Sequence, residues 1–127
     1  MRRRAVYFFD GGSRPNPGPM EAAVVNRGVA HFRDSPRTGD NNEAEWGGLI
    51  FAVELAIAQG DTDVLFVGDS LLVIQQARGL WTCRSTHLRP WLAAFQHASA
   101  PLARIGFRHV PRSKNLAGIA LARRYDP

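Results

Sequence analysis

The chain has 127 residues, enough for one domain that buries roughly 65–70% of its unfolded surface without covalent staples. Its single cysteine, Cys83, excludes an intrachain disulfide and a cysteine-based zinc cluster, and no apolar run approaches the ~18 residues of a membrane span. The formal net charge is +5, from fifteen arginines and one lysine, Lys114, set against eleven acids; that composition suits a polyanionic partner, although arginine also replaces lysine through genome composition or thermal adaptation. Arg2-Arg3-Arg4 leads into a strand and not into a signal-peptide core, so a cytoplasmic location and no membrane partner are expected.

Residues 4–9 read as a first strand buried on both faces. It ends on Asp10, and a glycine/proline turn follows at once in Gly11-Gly12-Ser13-Arg14-Pro15-Asn16-Pro17-Gly18-Pro19. A carboxylate beside Phe8 and Phe9 needs a partner, because burying it unpaired is costly. That partner is either the turn itself or a metal ion at the mouth of a central strand. Residues 21–26 and 29–33 form a hairpin bent at Asn26-Arg27-Gly28, and 34–40 is a polar loop.

A long helix over 42–59 follows. Asp40 and Glu43 resemble a capping box, Gly60 stands at the C-terminal end, and Leu49, Ala52, Val53 and Ala56 form the inward stripe. Glu45 stands four residues before Leu49 and eight before Val53, so it continues that stripe; its other reading is a first-turn glutamate facing the helix dipole. Glu43 and Glu54 read as surface residues. Residues 63–67 are a buried strand that runs into Gly68-Asp69-Ser70, and 70–78 are a helix closed by Gly79. Asp69 either caps that helix or joins Asp10 at the sheet edge. A loop over 80–90 carries Trp81. A helix over 91–100, a strand over 105–110 and a last helix over 115–124 complete the order β-β-β-α-β-α-α-β-α.

This order implies an α/β fold in one domain, with a mixed sheet whose parallel strands are joined by helical crossovers. Ligands bind such sheets beyond the carboxyl ends of the parallel strands, which is where Asp10 and Asp69 fall. Three acids aimed at one place call for hard divalent cations with oxygen ligands. Mg²⁺ is the expected ion and Mn²⁺ its substitute.

The segments Phe9-Asp10-Gly11-Gly12-Ser13-Arg14-Pro15-Asn16-Pro17-Gly18-Pro19, Asn41-Asn42-Glu43-Ala44-Glu45, Gly68-Asp69-Ser70 and His109-Val110-Pro111-Arg112-Ser113-Lys114-Asn115, with Leu121-Ala122, together resemble ribonuclease H type 1 in its compact form. The resemblance spans essentially the whole chain. It implies a ribonuclease H-like fold, a five-stranded mixed sheet flanked by helices, and Mg²⁺-dependent endonucleolytic cutting of RNA in RNA–DNA hybrids. It also implies that Asp10 bridges two ions while Glu45 and Asp69 complete the shell of one, and that Asn16 and Asn42 contact the hybrid with support from Asn41. Gly11, Gly12, Ser13, Arg14, Ser70, Arg112 and Asn115 join the expected substrate contacts, and His109 is a candidate proton shuttle.

The pattern breaks at Ile119, where the family carries its fourth acid. Three explanations compete: an inactivating change, a weakened enzyme with one strong metal site, or a replacement ligand. Asp126, two helical turns on and about 10 Å along the axis, is a poor replacement. Asp40 stands where threonine is common in a phosphate pocket and would repel phosphate unless it turns away as a cap. Leu71 stands where a glutamine often reads the minor groove. The basic protrusion of longer relatives is absent, leaving Arg14, Arg112 and Lys114 to bind the duplex. Trp81 and Trp91 are expected to pack and not to stack on bases. The expected activity is hybrid cleavage by a monomer, weakened by Ile119. The rival is a non-catalytic binder of hybrid or double-stranded RNA, and a nuclease acting on double-stranded RNA is a third reading.

Overall fold

The computed structural model describes residues 4–125, so Arg2, Arg3 and Asp126 lie outside the described residues. In chain order the elements are β1 (Ala5–Ser13), β2 (Gly18–Asn26), β3 (Val29–Gly39), α1 (Asn41–Ala58), β4 (Asp63–Gly68), α2 (Leu71–Ala77), α3 (Arg89–Ala98), β5 (Arg104–His109) and α4 (Leu116–Arg123), with a short 3₁₀ turn at Arg112–Lys114 before α4. The sheet runs β3-β2-β1-β4-β5. The first three strands are antiparallel neighbours, while β1, β4 and β5 run parallel, as the element order implied.

Each face of the sheet has its own cover. Tyr7, Phe9, Ala22, Val24, Val64 and Phe66 face α1 and α3, where Trp46, Leu49, Val53, Ala56 and Phe95 complete the main core. The predicted stripe of Leu49, Ala52, Val53 and Ala56 is fully buried. The larger members, such as Leu49, Val53, Phe9 and Phe66, each contribute about 1.5–3 kcal/mol on burial. On the opposite face, Ala117 and Leu121 of α4 close over Ala23 and Val25, with Phe8 packed at the margin. α1 begins with the capping box read from the sequence: Asp40 accepts from the Glu43 amide, and the Glu43 side chain accepts from the Asp40 amide.

Several boundaries differ from the sequence reading. β1 does not stop at Phe9; it continues through Gly11 and Gly12 to Ser13, paired with β2 as far as Ser13↔Met20. Nor is it buried on both faces, since α4 covers only part of the second face and leaves Val6 exposed and Phe8 half-buried. The expected loop over 34–40 is the second half of β3. A polar, proline-containing strand is tolerated there because β3 is the sheet edge, where one side of the backbone needs no strand partner. α3 starts earlier than predicted, with Pro90 inside its first turn, where a missing amide proton costs nothing.

Candidate active site

The site is a fork in the sheet. β1 and β4 pair from Ala5↔Val64 to Phe8↔Val67 and then separate. Beyond that point β1 stays with β2, and β4 stays with β5 as far as Gly68↔His109. Asp10 and Asp69 each lie just past the last shared pair, so both carboxylates stand in the opening. Glu45 arrives from α1, which can lie against β1 only because two glycines permit it. A Cβ on Gly11 would fall 1.9 Å from the Ala44 carbonyl oxygen, and one on Gly48 would fall 2.6 Å from the Asp10 carbonyl oxygen. This close approach lets Glu45 Oε1 accept from the Gly11 amide at 2.9 Å. Asp10, Glu45 and Asp69 can each present an oxygen within 4.8 Å of the others.

Such a cluster is electrostatically incomplete. Burial raises the Asp10 carboxyl to about 6; the Asp69 charge adds to the rise, while Glu45, the Gly11 amide and Arg112 hold it down. Glu45 is pushed well above the usual carboxylate range, first by burial and then by the charge of Asp10. Asp69 Oδ2 is buried with no hydrogen-bond partner among the described residues. An all-oxygen donor set, an orphaned carboxylate oxygen and two acids that resist ionisation together fit a hard divalent cation.

A cavity of about 420 Å³ opens from these acids, with Ser13, Arg14, Asn41, Arg112 and Gly118 among its walls. On one side a small network fixes the asparagines. Asn41 Oδ1 accepts from the Ser13 amide at 3.0 Å, Asn16 Oδ1 accepts from the Asn41 amide at 3.1 Å, and Ser13 Oγ lies 3.2 Å from both side-chain oxygens. The oxygens are thereby occupied, whereas neither side-chain NH₂ meets a protein acceptor among the described residues. Both remain available as donors. Asn42 is exposed in the first turn of α1, and the surroundings of Gly12 are open. Ser70 caps α2 by accepting from the Val73 amide. His109 is exposed at the end of β5, with Nε2 3.2 Å from the Asp69 carbonyl oxygen.

Asn115 requires correction. It is 0% exposed; its Nδ2 donates to the Phe9 carbonyl at 3.0 Å and its Oδ1 accepts from the Ala117 amide at 3.1 Å. It is a bracket that joins the start of α4 to the residue preceding Asp10, and it has no surface to offer a substrate. Asp40 turns away from the groove as the cap of α1 and pairs with His87 at 2.9 Å. Burial opposes ionisation of Asp40, but the Glu43 amide and His87 outweigh it and hold the carboxyl below its usual range. The nearby set Asp40, Glu43 and His87 could also span an ion, yet its donor atoms are engaged by the capping box, by the Asp40–His87 pair and by Trp91 Nε1, which donates to Glu43 Oε2. Trp91 therefore packs as expected, whereas Trp81 is 44% exposed and does not.

On α4 the residue against Asp10 is Gly118, where a Cβ would lie 3.4 Å from Asp10 Oδ2; Ile119 follows it, half-buried. Sequence reasoning overlooked Glu21. This buried acid lines the same cavity and accepts from Arg14, Arg124 and Tyr125. Its signal was available: an acid at the head of the apolar run Ala22-Ala23-Val24-Val25.

A reverse transcriptase-like family model matches residues 23–125. Over 125 residues the chain is 32% identical to the bifunctional protein Rv2228c of Mycobacterium tuberculosis, covering 94% of this chain but 34% of that one, so it spans about a third of that relative. Ribonuclease HI of Halobacterium salinarum is 36% identical over 124 residues, covering 94% of this chain and 62% of that one. The crystal structure of RNase H1 from Halobacterium salinarum superposes with a TM-score of 0.86 at 31% identity, covering 94% of both chains. LC11-RNase H1, solved in complex with an RNA/DNA hybrid, gives a TM-score of 0.77 at 26% identity over 89% of each chain.

Proposed function

Because the chain belongs to the ribonuclease H type 1 family, we propose that it is an endoribonuclease that cuts the RNA strand of RNA–DNA hybrids with Mg²⁺, or Mn²⁺ in its place, acting as one domain and as a monomer. The observation that carries this reading is the convergence of Asp10, Glu45 and Asp69 within 4.8 Å at the strand fork, with one Asp69 oxygen left without a hydrogen-bond partner among the described residues. When bound there, a divalent ion supplies Lewis-acid activation of water and stabilisation of the leaving oxygen, so no protein nucleophile is required.

The chain's own residues supply the rest. Asp10, Glu45 and Asp69 hold the ion, and the α1–β1 contact fixes Glu45 relative to Asp10. The side-chain amides of Asn16 and Asn41, which have no protein acceptor among the described residues, and exposed Asn42 would donate to a minor-groove edge or backbone of the hybrid. The 2′-hydroxyl of the RNA strand is the group that separates RNA from DNA in that groove. Arg14 and Arg112 meet phosphates, and exposed His109 stands beside Asp69 as the candidate proton carrier. Ile119 withholds a carboxylate from this arrangement and lowers activity without removing the remaining three acids.

Ile119 also favours a second reading, a hybrid or double-stranded RNA binder that does not cut. Cleavage of a labelled hybrid by the parent, Ile119→Asp and Asp10→Asn forms under Mg²⁺ and Mn²⁺ separates the two. Cutting by the parent that disappears in Asp10→Asn supports the enzyme, with Ile119→Asp expected to raise its rate about tenfold or more. Binding without cutting in the parent, and cutting gained in Ile119→Asp, would establish the binder.

A further inference from the structure

We propose that Glu21 and Tyr125 are positioning residues that hold Arg14 as a fixed anchor for a backbone phosphate beside the one to be cut; the proposal rests on the hybrid-cleaving reading. Arg14 leaves the sheet directly after β1, and its side chain is restrained on two sides. Its Nε donates to Glu21 Oε2 at 2.9 Å, and its guanidinium carbon lies 4.0 Å over the Tyr125 ring. Glu21 cannot drift, because Oε1 accepts from the Tyr125 hydroxyl and lies 3.4 Å from Arg124 Nη1. Arg124 is fastened in turn to Asp34 through two bonds of 2.8 and 3.0 Å. The clamp therefore ties the β1–β2 turn, β2, β3 and the end of α4 together around one guanidinium.

One edge of Arg14 stays free. Neither Nη atom meets a protein acceptor among the described residues, and the side chain is 57% exposed beside a Glu21 that is only 7% exposed. Arg14 borders the cavity that contains Asp10 and Glu45. A planar pair of N–H donors matches two phosphate oxygens, and a guanidinium already ordered in the free protein loses little rotamer freedom on binding. The clamp also explains how a carboxylate is tolerated in the wall of a groove for polyanions: Glu21 is neutralised by the residues it orients.

The test is steady-state cleavage of a labelled hybrid at saturating metal, paired with fluorescence-anisotropy binding in Ca²⁺. Arg14→Ala is expected to raise KM and Kd about tenfold while kcat stays within about twofold. Tyr125→Leu is expected to raise KM about threefold, Tyr125→Phe, which keeps the ring, to regain most of that loss, and the double variant to be no worse than Arg14→Ala alone. Glu21→Gln is also expected to raise KM. A lowered or unchanged KM in Glu21→Gln, additive effects in the double variant, or a loss confined to kcat would overturn the proposal. A parent that binds the hybrid while no variant moves Kd removes the anchor and leaves the functional reading intact. A parent that neither binds nor cuts removes that reading and the anchor with it.

Discussion

Asp10 shows how one residue carries opposite demands. Its carboxyl rises from an ordinary value of 3.8 to about 6, burial being the main cause, so in the metal-free protein the native state binds more protons than the unfolded one between those values. The sign follows directly: the contribution is fully present below about pH 4 and is lost as pH rises through 6. Above that pH the buried, ionised group opposes folding. Asp10→Asn removes the charge that burial penalises. In chelator-treated protein at pH 7.5 this variant is expected to melt several degrees above the parent, and the two should converge at pH 4. It should nonetheless lose at least about a thousandfold in hybrid cleavage. A variant that melts lower than the parent at pH 7.5 would show that Asp10 is compensated within the protein and needs no cation. The acids were legible in the sequence because each interrupts an apolar pattern: Asp10 ends a run of aromatics, Glu45 continues a helical stripe, and Asp69 follows a buried strand. Asn115 was not legible in its true role. Its reach to the Phe9 carbonyl, more than a hundred residues away in sequence, is a tertiary contact that local spacing does not encode.

Among the elements, α4 is the one whose placement controls the site. Its start is fixed by Asn115, its middle presents Gly118 to Asp10, and its inner face rests on Ala23 and Val25. Asn115→Ala deletes both the cap of α4 and the donor to Phe9, leaving a buried carbonyl unsatisfied. We expect a loss of about 2–3 kcal/mol in urea unfolding, with hybrid-cleavage kcat reduced at temperatures where the variant remains folded. Asn115→Asp separates the two functions: a carboxylate still accepts from the Ala117 amide but repels the Phe9 carbonyl, so most of the loss should persist. Recovery of stability in Asn115→Asp would assign the residue to capping alone. The elements misread from sequence share a cause. Gly11-Gly12 resembles a turn, yet β2 supplies partners that keep it extended, and the second half of β3 is polar because it forms the sheet edge. In both, nonlocal pairing overrides local propensity. The long helix α1 was legible almost to the residue because its capping box and apolar stripe are written locally.

The whole molecule separates its charges. It carries a net +5, yet three acids meet in the fork while Arg14 and Arg112 border the groove that leads to them. Mutual repulsion among those acids opposes the folded state at neutral pH, and a bound divalent ion reverses that balance by favouring the native state alone. The stabilisation is RT ln(1 + [L]/Kd), about 2.7 kcal/mol at a hundred times Kd. It must also depend on pH, because the ion competes with the protons that Asp10 and Glu45 retain at acid pH. Millimolar Mg²⁺ or Mn²⁺ is therefore expected to raise the melting temperature by several degrees at pH 7.5 and scarcely at all at pH 5, with protons released on binding in the intervening range. Calorimetry across that range, with Asp10→Asn alongside, checks both features: the variant should lose the metal response and its pH dependence together. An equal rise at pH 5 and pH 7.5, retained in Asp10→Asn, would place the ion elsewhere on the surface and separate the carboxylate fork from metal binding.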